Sequence, residues 1–232
     1  MIFLTFQVYG QQPYQDEMGR CREVVLDQGV KTIQLYREGW PLSYPVIRLS
    51  GDVPMVLEFD DLSSESPVFY YKIIHCNADW TPSMLIEQEY LEGYPENQIT
   101  GGTHSFNTYY SYLHYTLSLP NENTNFLVSG NYLLVVYKDR GPSPVTFTKR
   151  FMITESKVSI EARARIPDLV RYRDCCQEVD FTVNHPGVQI DDPYGETRAS
   201  IYQNGLWDLG IEGMVPYMVN NNELIYDFQE EN

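Results

Sequence analysis

Two-residue alternation of apolar and polar side chains runs through most of this chain, and it leaves little room for anything but β-sheet. Leu113, Tyr115, Leu117 and Leu119 alternate with His114, Thr116 and Ser118. A strand sends successive side chains to opposite faces, so such a run reads as a half-buried strand. Ile33 and Leu35 alternate with Thr32 and Gln34; Met55, Leu57 and Phe59 face away from Val56 and Glu58; Tyr71, Ile73 and His75 share a face that Phe69 extends. Val145, Phe147, Phe151 and Ile153 alternate with Thr146, Thr148, Arg150 and Met152. Only Tyr132–Tyr137 is apolar on both faces, the mark of a central strand.

Turn residues punctuate these runs at Ser50-Gly-Asp52, Asp60-Asp61, Gly101-Gly102, Asn121–Asn125 and Gly141-Pro142. One short helix is expected within Ser83–Glu92, capped by Ser83 and stopped by Gly93. About seven strands between residues 30 and 155 predict an immunoglobulin-like β-sandwich. Ser129-Gly-Asn-Tyr132 before the apolar strand predicts a tyrosine corner, in which the phenol ties a crossover loop to the backbone. Leu134 stands where an antibody domain has its second cysteine, so no antibody-type disulfide is expected. The pattern resets near Thr154-Glu-Ser156. Val158–Arg165, Val179–Val183, Arg198–Gln203 and Leu224–Phe228 then predict a partial second sandwich over residues 156–232. An unfinished sandwich exposes an open sheet edge. Residues 1–10 read as a signal-peptide remnant, with Val8 and Gly10 small enough for a cut before Gln11, and residues 11–29 as a polar leader.

The net charge of −16, from 32 acids against 16 Lys and Arg, excludes a nucleic-acid partner and disfavours an anionic membrane surface. Charge is uneven: residues 138–173 hold nine bases and four acids, whereas residues 174–232 hold twelve acids and one base. Ordinary alternation on solvent-facing strands accounts for that pattern. The four cysteines, Cys21, Cys76, Cys175 and Cys176, have no metal-ligand spacing, so neither zinc nor another cofactor is expected. Cys76 is expected as a buried free thiol.

His75 and Cys76 are consecutive on a strand and point to opposite faces, which defeats a nucleophile–base pair even with Asp79 close by. Glu87, Glu89, Glu92 and Glu96 read as solvated surface and not as paired catalytic carboxylates. Asp52, Asp60 and Asp61 lack the spacing of a calcium loop. No catalytic or metal site is predicted. Aromatics in loops and at strand ends are the candidates for a partner surface, and loop position selects Trp80, Tyr94, Tyr109 and Tyr110.

One resemblance adds a role that these residues do not state. Tyr71-Lys-Ile-Ile-His-Cys-Asn-Ala-Asp-Trp80 and Glu96-Asn-Gln-Ile-Thr100 resemble the plug protein of the bacterial type IX secretion system. The likeness continues through Ser105-Phe-Asn107, Leu119-Pro-Asn-Glu122 and Ser129–Tyr137, and resumes at Lys157-Val-Ser-Ile160 and Glu178–Gly187. It implies a non-enzymatic, periplasmic β-rich protein of a Gram-negative bacterium. Such a protein closes the outer-membrane translocon pore by protein–protein contact, without inserting into the membrane. Family members extend beyond the point where this chain stops, so a C-terminal truncation is expected. The alternative is a secreted carbohydrate-binding module, which needs coplanar exposed rings such as Trp80 and Tyr94. An enzyme is the third option.

Overall fold

Seventeen strands and four one-turn helices form in the computed structural model, which describes residues 12–63, 67–139 and 144–227. The chain divides into two compact units between Glu155 and Ser156. The first contains β1 (Val30–Arg37), β2 (Val46–Arg48), β3 (Met55–Asp61), β4 (Phe69–Cys76), α1 (Glu87–Tyr90), β5 (Leu91–Gly93) and β6 (Asn97–Ile99). It continues with β7 (Thr103–His104), β8 (Leu113–Leu119), β9 (Thr124–Phe126), β10 (Gly130–Lys138) and β11 (Val145–Thr154). The proposed signal remnant and the Gly141-Pro142 turn lie outside the described residues.

Two sheets face each other in this unit, ordered β1-β3-β8-β7 and β2-β11-β10-β4-β6. Pairing is antiparallel except where β2 runs parallel to β11. Mapped onto immunoglobulin strands, the first sheet is A-B-E-D and the second carries C, F and G, so the fold is an all-β immunoglobulin-like sandwich. Its core is aromatic. Phe59 of β3 stacks on Tyr115 of β8 at 5.1 Å and meets Phe69 of β4 and Phe147 of β11 edge-on at 4.9 and 5.1 Å, so these rings tie one sheet to the other.

The tyrosine corner forms. Tyr132 Oη donates to the Val128 carbonyl at 2.7 Å, and its ring stacks on Phe151 at 5.3 Å and takes the edge of His75 at 4.9 Å. Gly130 lets the chain pass over His75: its φ is +151°, and a Cβ there would lie 2.4 Å from His75 Nε2. The one or two turns of helix expected within Ser83–Glu92 form as the single turn α1; it starts after Ile86 and not at Ser83, whose Oγ accepts from the Leu85 amide in a local turn, and Leu91–Gly93 is taken into pairing with β9.

The segment expected as a polar leader belongs to the sandwich. Leu26 N–H donates to Thr146 O and Thr148 N–H to Val24 O, both at 2.9 Å, which extends the free edge of β11. The Thr148 hydroxyl donates to Arg22 O at 2.6 Å and accepts from Val24 N at 3.0 Å. Lys149 Nζ reaches Glu23 at 2.6 Å, and Lys138 Nζ holds Asp27 at 2.6 Å and the fully buried Asp61 at 3.4 Å. Thr146, Thr148 and Arg150, which alternation assigns to an outward face, are therefore buried.

The second unit contains β12 (Ser159–Arg165), β13 (Glu178–Asn184), α2 (Pro193–Glu196), β14 (Ala199–Tyr202), β15 (Gly210–Met214), β16 (Met218–Asn220) and β17 (Glu223–Tyr226). They make a sheet β12-β13-β17-β16 and a ribbon β14-β15. Phe181 and Tyr226 stack at 4.5 Å over Leu224, and β12 exposes six of its seven residues along one sheet edge. Two of these strands, β15 and β16, carry no alternation strong enough to predict.

Tyr132→Phe removes one buried hydrogen bond and is expected to cost the first unit about 1–2 kcal/mol. Gly130→Ala adds a clash and an unfavourable φ, and should cost roughly 2–4 kcal/mol. Urea titration of the first unit's unfolding transition checks both, and a Gly130→Ala effect no larger than that of Tyr132→Phe contradicts the close approach to His75. The hydrogen bond from Lys138 holds the Asp27 carboxyl below its ordinary value of 3.8. A carboxyl lowered on folding contributes stability above that value and loses it as pH falls through the lower, folded one. Protease protection of residues 12–29 is therefore expected to persist at pH 5 and to fall away below about pH 4. Lys138→Met should weaken that protection at pH 5 and remove the acid step.

Candidate partner-binding surface

The four loop aromatics separate into two kinds. Trp80 is 1% exposed, so the structure removes it from any partner surface. A tight turn turns it inward: Asn77 N–H donates to Thr81 O, Trp80 N–H to Asn77 O, and Asp79 accepts from both the amide and the hydroxyl of Thr81. Trp80 takes a φ of +66° in that turn, and its ring lies 4.4 Å beneath the guanidinium of the buried Arg150. Arg150 then donates from Nε to the Cys21 carbonyl at 2.7 Å, with a second bond from Nη2. Trp80 is therefore a structural anchor for the N-terminal segment.

Tyr94, Tyr109 and Tyr110 are 68%, 93% and 71% exposed. Tyr94 sits between β5 and β6, where its carbonyl accepts from Asn97 Nδ2 at 2.8 Å. Tyr109 and Tyr110 lie in the loop from β7 to β8, packed edge to face at 4.9 Å and 82°. That loop is held by its own bonds: Ser105 N–H donates to Tyr112 O, Tyr112 N–H to Ser105 Oγ, and Thr108 Oγ1 to Tyr110 O, with the Ser105 hydroxyl 2.9 Å from Thr108 Oγ1. Phe106, 94% exposed, joins the two tyrosines on it. Sequence reasoning passed over Phe106, although Ser105-Phe-Asn107 is one of the blocks that carry the resemblance. Three exposed rings on a pinned loop suit a protein partner, since aromatics bury large area at low entropic cost. A sugar platform requires coplanar rings. Trp80 is withdrawn, and Tyr109 and Tyr110 stand nearly perpendicular, so neither pair provides one.

The residues weighed for chemistry have other occupations. Burial keeps His75 below its ordinary value, against the weaker opposing effect of the Ser129 carbonyl 3.5 Å from Nε2, so the ring is neutral near pH 7. Cys76 is buried behind it on the opposite strand face. Asp60 is hydrogen-bonded to His114 Nδ1 at 2.7 Å, and Asp61 faces Lys138. Glu87 and Glu89 open the single turn α1, where Glu89 accepts from the Ile86 amide. In the second unit Glu178, Asp180 and Asp227 bring carboxylate oxygens within 4.8 Å of one another. Arg165 occupies that cluster, bonding Asp180 at 2.7 Å and Glu178 at 2.5 Å, with Asp168 at 2.7 Å on its outer side.

Other residues in the quoted blocks also turn out structural. Asn121 Nδ2 donates to Tyr71 Oη at 3.0 Å and to Ser118 O at 3.0 Å; Tyr71 Oη and Asn97 Nδ2 both meet Thr124 Oγ1, at 2.9 and 3.1 Å. This buried polar group joins the turn after β8 to β4 and β6.

No curated protein matches the chain. A crystal structure of a hypothetical protein from Parabacteroides merdae superposes with a TM-score of 0.83 at 31% identity over 89% of the chain. The chain spans about half, 52%, of that protein's length in the structure. The family described as type 9 secretion system plug protein, first domain, matches residues 30–155, the extent of the sandwich from β1 through β11. By that match over more than half of its residues, the chain belongs to the type IX secretion system plug protein family.

Proposed function

We propose that this protein is a non-enzymatic periplasmic accessory of type IX secretion that plugs the outer-membrane translocon pore by protein–protein contact. The observation that carries the reading is the family match over residues 30–155. The family is a structural component of a secretion system, and an envelope location follows from that association. Blocking a pore requires a body that keeps its shape under load and an interface that can be released. An aromatic interlock between two sheets suits the first need. For the second, the docking surface is Tyr109 and Tyr110 with Phe106 beside them, and Tyr94 on the neighbouring connection. Rings of this kind act as anchors at interface centres, where truncation commonly costs 2 kcal/mol or more. The net charge of −16 would make docking on a basic rim sensitive to salt.

The test is co-purification of the tagged full-length protein with the translocon from envelope extracts. Recovery of the translocon is expected with the native protein, and a loss of about tenfold or more with Tyr109→Ala/Tyr110→Ala. Because both side chains are exposed, the double variant should unfold within about 0.5 kcal/mol of the native protein. Failure of the native protein to recover the translocon removes the plugging role. Undiminished recovery with the variant removes the docking surface and leaves the role standing.

A further inference from the structure

Two cysteines far apart in sequence share one buried site. Cys21 lies on the N-terminal segment and Cys76 ends β4, and they are 0% and 1% exposed. The backbone on both sides is pinned to the same turn: Cys21 N–H donates to Trp80 O at 2.8 Å, while Cys76 bridges Pro82. The Arg150 guanidinium, stacked on Trp80, holds the Cys21 carbonyl. Tyr14 marks the same spot from a third direction. Its ring is buried and its carbonyl accepts from the Arg22 amide at 2.8 Å; burial, with smaller contributions from Cys21 and Cys76, raises its phenol to about 12. The interaction of the two side chains holds the Cys21 thiol below its ordinary range and, together with burial, pushes that of Cys76 above.

We propose that Cys21 and Cys76 form a disulfide that fastens the N-terminal segment to the sandwich, closing the loop of residues 21–76. Position and chemistry agree. Cys21, on the segment that has yet to dock, opens the exchange as its thiolate. Its thiolate attacks one sulfur of an external disulfide, either a small-molecule disulfide or a disulfide oxidoreductase, and expels the first external thiolate. Cys76 loses its proton and attacks the Cys21 sulfur of the mixed disulfide, expelling the second. Two protein thiols become one disulfide, and one external disulfide becomes two thiols. Exchange must precede full docking of the segment, because the finished site is closed to solvent. Once docked, the bond is shielded from reductants. An oxidising compartment is needed in the cell, which the envelope location proposed above supplies, but the bond itself can be tested without it.

Cys175 and Cys176 are exposed neighbours with sulfurs 2.9 Å apart, so they must be removed from the measurement. The full chain with Cys175→Ser and Cys176→Ser is refolded in mixed oxidised and reduced glutathione, then unfolded in iodoacetamide without reductant. The expected product takes up no label, is lighter than the reduced chain by two hydrogens, and yields one linked peptide pair joining Cys21 to Cys76. The first unit's unfolding transition should lie roughly 5–15 °C above that of the same chain kept reduced, as closure of a long loop implies. Cys21→Ser should abolish both the link and the shift. If a chain with native circular dichroism takes up label at both cysteines, or stops at a glutathione adduct on Cys21, the proposal fails. That outcome would not touch the plug reading, which stands or falls on recovery of the translocon.

Discussion

A buried sheet face that carries hydrogen-bonding side chains has to be completed by something that can accept those bonds. Thr146, Thr148 and Arg150 impose this on the first unit. An unpaired guanidinium or hydroxyl in that position would cost several kcal/mol, so the face cannot close against another apolar surface. Residues 12–27 meet the demand with backbone: the carbonyls of Cys21, Arg22 and Val24 take the bonds offered by β11. The turn that buries Trp80 serves the same end, since its ring covers the face of the guanidinium that carbonyls leave free. Strand β10 is the beneficiary. Leu133 and Val135 are fully buried on the face turned away from the aromatic core, and this is why Tyr132–Tyr137 shows no polar alternation.

The residues that relate this chain to its family specify shape. Tyr71, Asn97, Asn121 and Thr124 satisfy one another inside a turn; His75, Gly130 and Tyr132 set the crossing of a loop over a strand end. Removing any one would leave a polar group unmet or a backbone strained, which is a sufficient reason for each to be there. These residues build the body of the first unit and leave its exposed rings to the connections between strands.

Sequence reading succeeded where the physics is local. Period-two alternation located the long strands of both units, and a glycine two residues before a tyrosine located the corner. It failed where partners lie far apart along the chain. Trp80 follows a polar turn and looks like a loop tip, but the cation that buries it, Arg150, is seventy residues away. Residues 12–29 read as a leader because hydrogen bonds, and not a periodic apolar face, fasten them to the sandwich, and hydrogen bonds leave no periodic trace. Cys76 is the buried free thiol that its strand position implies, but nothing local announces that Cys21 is buried close to the same turn. Phe106 carries the same local signal as Tyr109 and Tyr110, a large ring in a polar connection.

The two units are stabilised on very different scales. Among the described residues, twenty-three buried side chains make the main core cluster of the first, and three make that of the second. Free energy of burial grows with apolar area, so the smaller body has far less to resist heat or solvent with. Taken by itself, each unit has its own tolerance of heat, and the second, with so little apolar surface hidden from water, has the narrower one.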